Sequence, residues 1–157
     1  MNYLKTISFL FLLILINGCD ENETITSSSQ LEVLINKYQD HEGYDDKTYP
    51  LGLFTRAYYK AEAAFATSLL NELDVIDAND LVESDRISLD LLKFVLQDDI
   101  DFYEFERFLN PLLSDSGFHS NLAYSLRPFS SYDQIKEYLT KLNAIPEFVN
   151  QHFVNLR

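Results

Sequence analysis

From Leu31 onward the apolar side chains of this chain return every three or four positions, which is the repeat of one face of an α-helix. Leu31, Leu34, Ile35 and Tyr38 open the pattern. Phe54, Tyr58, Phe65, Leu69 and Leu73 continue it, followed by Ile87, Leu91, Phe94 and Val95, and later by Ile135, Tyr138, Leu139 and Leu142. Strands would need alternation at period two. The choice of side chain agrees with the period, because the chain holds 25 Leu against 6 Val. Leu loses little rotamer freedom in a helix, whereas β-branched residues lose more. The expected fold is therefore all-α. An apolar content of 46% excludes a disordered chain, and 157 residues suit one domain.

Cap and turn residues divide the pattern. Ser29-Gln30-Leu31-Glu32 fits a capping box, so a first helix is expected from there. Residues 39 to 52, with Gly43, Pro50 and Gly52, read as a loop. A second helix is expected from Leu53 to Leu73. Its small side chains Ala57, Ala61, Ala64 and Ser68 form a stripe that would admit a close neighbour. Ser84 before Asp85 reads as the N-cap of a third helix running to about Phe108, ahead of Pro111. These two would form an antiparallel helical hairpin around a loop at 75 to 83, itself with a helical turn. Ser114-Asp115-Ser116-Gly117 is a turn signal, and Pro128 blocks a helix through 118 to 130. Ser131 with Gln134 suggests another capping box. Pro146 suits the first turn of a last helix whose face is Phe148, Val149, His152, Phe153 and Leu156.

The N-terminus reads as an address. One basic residue, Lys5, precedes an apolar run from Ile7 to Ile16 broken by Ser8. Ten helical residues span about 15 Å, half of a roughly 30 Å hydrocarbon core, so this is a secretory signal and too short for an anchor. Ile16-Asn17-Gly18-Cys19 then resembles the bacterial lipobox. That resemblance implies cleavage between Gly18 and Cys19 and a diacylglycerol on the Cys19 thiol. Two or more acyl chains hold a protein on a membrane where one barely does. Asp20 to Ser29 follows as a polar tether. The expected division is signal peptide 1–18, tether 19–29 and helical part 30–157. The expected place is the bacterial cell envelope, on the exported side, with the membrane as partner through the lipid on Cys19.

Charge narrows the remaining functions. The formal net charge is −13, and between Glu72 and Glu106 there are 12 acidic residues against Arg86 and Lys93. Such a surface repels a phosphate backbone, so nucleic acid is excluded as a partner. The single Cys excludes a disulfide framework and Cys-rich metal sites. His41-Glu42-Gly43-Tyr44-Asp45 has Asp45 where a zinc helix needs its second His, and Gly43 argues for a loop. Asp98-Asp99-Ile100-Asp101 lacks the spacing and Gly of a calcium loop and reads as a solvated face. His119 and His152 read as hydrogen-bonded, partly buried side chains. No catalytic, metal or cofactor residue is assigned in this chain.

An ordered series of segments carries a family likeness. Glu83-Ser84-Asp85-Arg86-Ile87-Ser88-Leu89-Asp90-Leu91-Leu92, Asp101-Phe102-Tyr103-Glu104-Phe105 and Asn110-Pro111-Leu112 come first. Gly117-Phe118-His119, Arg127-Pro128-Phe129, Tyr132, Tyr138 and Asn143-Ala144-Ile145-Pro146-Glu147-Phe148-Val149 follow in order. From about Leu31 to Arg157 the chain resembles the N-terminal region of the bacterial domain of unknown function 885 family. The resemblance implies a mostly helical, often exported protein related to zinc-dependent peptidases. Their His-Glu metal motif lies later than the residues present here, so no metal ligand carries over. The expectation is a lipid-anchored N-terminal fragment, inactive alone, whose missing C-terminal catalytic part would bind zinc. The alternative is a complete small helical lipoprotein acting as a binding module.

Overall fold

The computed structural model describes residues 26–112, 117–121 and 129–156. Gly18 and Cys19, the apolar run 7–16, the polar stretch 20–25, the turn residues Ser114, Asp115 and Ser116, and Arg127 with Pro128 lie outside the described residues. Among the described residues every regular element is helical and there is no strand, so the chain is all-α. The helices are α1 (Ser27–Gln39), α2 (Arg56–Leu73), α3 (Glu83–Glu104), α4 (Phe118–Asn121) and α5 (Tyr132–Asn155). Short 3₁₀ turns lie at Ala78–Asp80 and Arg107–Leu109. No described helix is long and apolar enough to cross a membrane.

Caps explain where the helices start. The N-cap of α1 is Thr26, whose hydroxyl accepts from the Ser29 N–H at 3.2 Å. Ser29 is thus a donor inside the first turn and not the cap, and the last three residues of the expected tether are helical. Thr55 does the same for α2, accepting from the Tyr58 N–H, so that helix begins at Arg56 and not at Leu53. At α3 the cap position is Val82, with no side-chain bond, and Ser84 is already helical. Glu83 and Asp85 in its first turn favour the positive end of the helix dipole instead. Asp85 also receives a hydrogen bond from Ser28 at 2.7 Å, which ties the start of α1 to the start of α3.

The core is a small leucine cluster. Leu31 and Leu34 of α1, Ala66, Leu69 and Leu73 of α2, Ile76 and Leu81 of the connection, and Leu89, Leu92 and Leu96 of α3 bury one another. Fully burying such a side chain contributes about 1.5–3 kcal/mol. The most extensive helix contact joins α2 to α3. Tyr59, near the start of α2, meets Phe102 near the end of α3 at 5.1 Å between ring centres, while Asp74 just after α2 pairs with Lys93 midway along α3.

Two expected faces are turned the other way. Ile87, Leu91 and Phe94 are 61%, 61% and 71% exposed, and α3 buries Leu89, Leu92 and Leu96 instead. Both sets have helical spacing, so periodicity alone could not choose between them. Likewise Ala57, Ala61, Ala64 and Ser68 face solvent, and the buried small residues of α2 are Ala63 and Ala66.

Helix α3 ends at Glu104, four residues before the expected stop. Glu106 then adopts a left-handed backbone, φ 51° and ψ 34°. The break turns Phe108 inward, where it stacks on Tyr59 at 5.0 Å and lies under the Arg56 guanidinium, also at 5.0 Å. A left-handed conformation costs a non-glycine residue roughly 1–2 kcal/mol. Glu106→Gly is therefore expected to raise stability by up to about 1 kcal/mol, part of the gain being offset by loss of the exposed Arg56–Glu106 pair. A urea midpoint that rises at constant slope would show it; an unchanged or lower midpoint would refute the strain.

Helix α5 is continuous from Tyr132 to Asn155, with Pro146 inside it and not at the start of a separate helix. Pro146 has no N–H to give the Leu142 carbonyl, so one rung of the ladder is missing there. Ser131 caps α5 by accepting from the Gln134 N–H, and Gln134 reaches back to the N–H and hydroxyl of Ser130.

Candidate functional site

The most chemically loaded region lies where the loop after α1 crosses α2 and α3. His41 follows the end of α1, and its Nε2 shares a hydrogen bond of 3.1 Å with Glu62 Oε1 of α2. Its ring stacks on Phe65, one turn further along α2, at 3.7 Å and 7°. Glu62 and Phe65, three residues apart, share one helix face and so hold the two sides of one imidazole. Tyr58, one turn before Glu62, packs edge-on against Tyr44 of the loop at 5.7 Å. Half-buried Asp99 of α3 and Tyr38 of α1 complete the cluster.

The cluster has a definite electrostatic character. Burial holds the Asp99 carboxyl above its ordinary range, and the negative charges of Asp98 and Glu62 push the same way against the pull of Arg107. Burial also pushes the Tyr58 hydroxyl up to about 12, helped by Glu62, Tyr44 and Asp99. Tyr38 is raised by burial and then by Asp99 and Glu62. Both phenols therefore stay protonated in the neighbourhood of two carboxylates. Sequence spacing placed the whole acidic run on a solvated face, whereas only Asp98 is exposed, where it pairs with Arg107; Asp99 and Asp101 are half-buried, and Asp101 accepts from Gln97. The partner of His41 is Glu62 and not its neighbour Glu42. No local motif signals that pairing, because it spans 21 positions.

Chemically, this arrangement can hold protons and fix a loop. Among the described residues no hydroxyl or thiol is hydrogen-bonded to His41, so it has no nucleophile to activate. Among the described residues, too, no three His, Cys, Asp or Glu side chains gather in a way that would hold a metal ion.

A second feature lies at the C-terminal half of α5. Phe54 sits in the extended segment before α2, and its backbone is clamped by two amides one helical turn apart. Its N–H donates to Gln151 Oε1 at 2.6 Å, and its carbonyl accepts from Asn155 Nδ2 at 2.7 Å. Gly52 permits this approach: its φ is +99°, and a Cβ there would meet the Phe54 ring at 2.7 Å. Beside the clamp lies an open groove of about 490 Å³ lined by Arg56, Leu109, Glu147, Asn150 and Val154 among others. Glu147 accepts from the Gln151 amide at 3.1 Å.

His152, on the same turn, is enclosed by rings. Phe118 stacks on it at 4.5 Å, with Phe54 at 4.4 Å and Phe148 at 4.7 Å. It is 6% exposed, and among the described residues neither ring nitrogen has a hydrogen-bond partner. The expectation of a hydrogen-bonded, partly buried His thus fails here, and His119 is exposed. Burial lowers the His152 pKa below its ordinary 6.5. The unfolded chain then takes up a proton at a pH where the folded one resists it. Its contribution to stability is complete above pH 6.5 and is lost as pH falls from there towards the lower folded value. Unfolding curves between pH 7.5 and pH 5.5 should show this decline, and His152→Phe should flatten it. A decline of equal size in His152→Phe would assign it to other groups.

A family model described as bacterial protein of unknown function, DUF885, matches residues 38–157, seven residues inside the start expected from the ordered segments. No curated protein and no solved structure matches the chain.

Proposed function

The chain belongs to the bacterial DUF885 family, and from that membership we propose that it is an exported, lipid-anchored envelope protein supplying the helical, non-catalytic part of a zinc-dependent peptidase-like protein. The observation that carries this reading is the uncovered apolar face of α3. Ile87, Leu91 and Phe94 are exposed along a helix that also buries Leu89, Leu92 and Leu96 on its opposite side. Helices apolar on two sides are built to sit inside a thicker layer. The implied zinc does not fit the described residues, since the nearest set, His41 with Glu62, is used up in a pair stacked on Phe65. The chain is therefore expected to be inactive alone. The anchor is supported by Ile16-Asn17-Gly18-Cys19 followed by a polar stretch.

Two experiments test the reading. Labelled palmitate should enter the wild-type chain and be lost in Cys19→Ala; label retained in the variant rejects the anchor. Purified full chain in detergent should not cleave a mixed peptide substrate with added zinc, but should restore cleavage when combined with the C-terminal part of a longer family member. Chelator-sensitive cleavage by the chain alone, lost in His41→Ala, would overturn the non-catalytic role. The second reading, a self-sufficient binding module, draws support from the groove beside Arg56. It predicts that no C-terminal part restores cleavage.

A further inference from the structure

Helix α5 docks with its polar face. Its buried residues are Phe148, Gln151, His152 and Asn155, two of them amides engaged with the Phe54 backbone. The apolar positions Ile135, Leu139, Leu142 and Phe153 are exposed, and nothing from 132 to 147 is buried. With Pro146, Ile135, Leu139 and Leu142 follow the i, i+4, i+7, i+11 rule of a helix-pairing seam. The inversion has a physical cause. The extended Phe54 segment has backbone groups to satisfy, and only the amide side of α5 can do so.

We propose that this apolar seam of α5 pairs antiparallel with the same seam of a second copy of the chain, about a two-fold axis at Leu142. Charge selects this occupant. The whole chain carries −13, yet from 129 to 156 there are only three carboxylates, Asp133, Glu137 and Glu147, against Lys136 and Lys141. This is the stretch where two copies approach with little repulsion. The seam of α3 is different: Glu83, Asp90 and Asp101 stand beside Ile87, Leu91 and Phe94, so two copies would repel there. The register follows from the same charges. At 100° per residue Lys136 and Glu147 lie on one flank of the seam, six residues before and five after Leu142. A two-fold axis at Leu142 brings Lys136 of each copy beside Glu147 of the other. Glu147 forms no ion pair among the described residues, and Lys136 has a loose 3.6 Å contact with Asp133 and lies over the Tyr132 ring at 4.5 Å, both within its own first turn. Such pairing is independent of the peptidase-like reading and would hold without it.

The test uses the full chain in membranes. In Leu142→Cys, mild oxidation should yield a disulfide-linked species of twice the monomer mass, with the linkage between the two Cys at 142 located by mass spectrometry. The parent, whose one cysteine is Cys19, sets the background. Thr140→Cys, exposed on the same helix but off the seam, should stay at that background. In the Leu142→Cys chain, Lys136→Glu and Glu147→Lys should each lower the yield about tenfold, because each reversal acts twice by symmetry. The double reversal should restore it. The proposal is overturned if Leu142→Cys stays at the parent's level, if Thr140→Cys links equally well, if the double reversal fails to recover, or if Leu142→Cys links to a different protein.

Discussion

Leu96→Ala is expected to lower the stability of the folded chain by about 2–5 kcal/mol, while Leu91→Ala, five residues earlier on the same helix, changes it by no more than about 0.5 kcal/mol. The two residues are chemically identical and both lie mid-helix. Leu96 is 0% exposed and belongs to the cluster with Leu69, Leu73 and Leu92. Truncating it removes buried methyl groups and leaves a cavity that the short helices can only partly close. Leu91 touches mostly water, and Ala has the better helix propensity, so little is lost. Urea unfolding of both variants beside the wild type measures the contrast. Similar losses for the two would mean that the Leu91 face is covered in solution. In that event the seam on α3, and not only that on α5, has an occupant under the assay conditions.

The second large effect belongs to the amide clamp. Gln151→Ala leaves the Phe54 N–H without its acceptor, and Asn155→Ala leaves the Phe54 carbonyl without its donor. A part-buried backbone group deprived of its partner costs about 1–3 kcal/mol. The two losses should not add. Once one amide is gone, the Phe54 segment is free to shift towards water, so the double variant should lose less than the sum of the singles. Hydrogen exchange at the Phe54 amide gives a local readout: protection should fall sharply in Gln151→Ala and less in Asn155→Ala. Unchanged protection in Gln151→Ala would show that the bond is not what holds α5 in place.

The same contrasts mark what could be read from residue order. Spacing found the helical segments and the loop between α1 and α2, although it divided α5 in two at Pro146. It also found the Ser131 cap, because those signals lie within a few residues of one another. It misplaced the α1 cap by three residues, since Thr26 and Ser29 are equally able N-caps and only the path of the chain decides between them. The candidate site was much less legible. His41 stood out as half of a metal motif, but its partner Glu62, the neighbouring Asp99 and the two shielded phenols came together only through packing. Gln151 and Asn155 carried no signal at all, because polar residues on a helix are ordinarily its solvent side.

The order of residues by itself settled that this protein is helical and that its surface is strongly acidic, because those properties depend on local rotamer freedom and on summed charge. Which side of each helix is buried was decided only in three dimensions. Helices α3 and α5 carry apolar residues on more than one side, so periodicity offered two answers of similar merit. The choice fell to contacts between distant segments: Leu96 with Leu69 and Leu73, and the amides of α5 with the backbone of Phe54. Burial energy and backbone hydrogen bonding are satisfied jointly across the fold, and no window of neighbouring residues contains both partners.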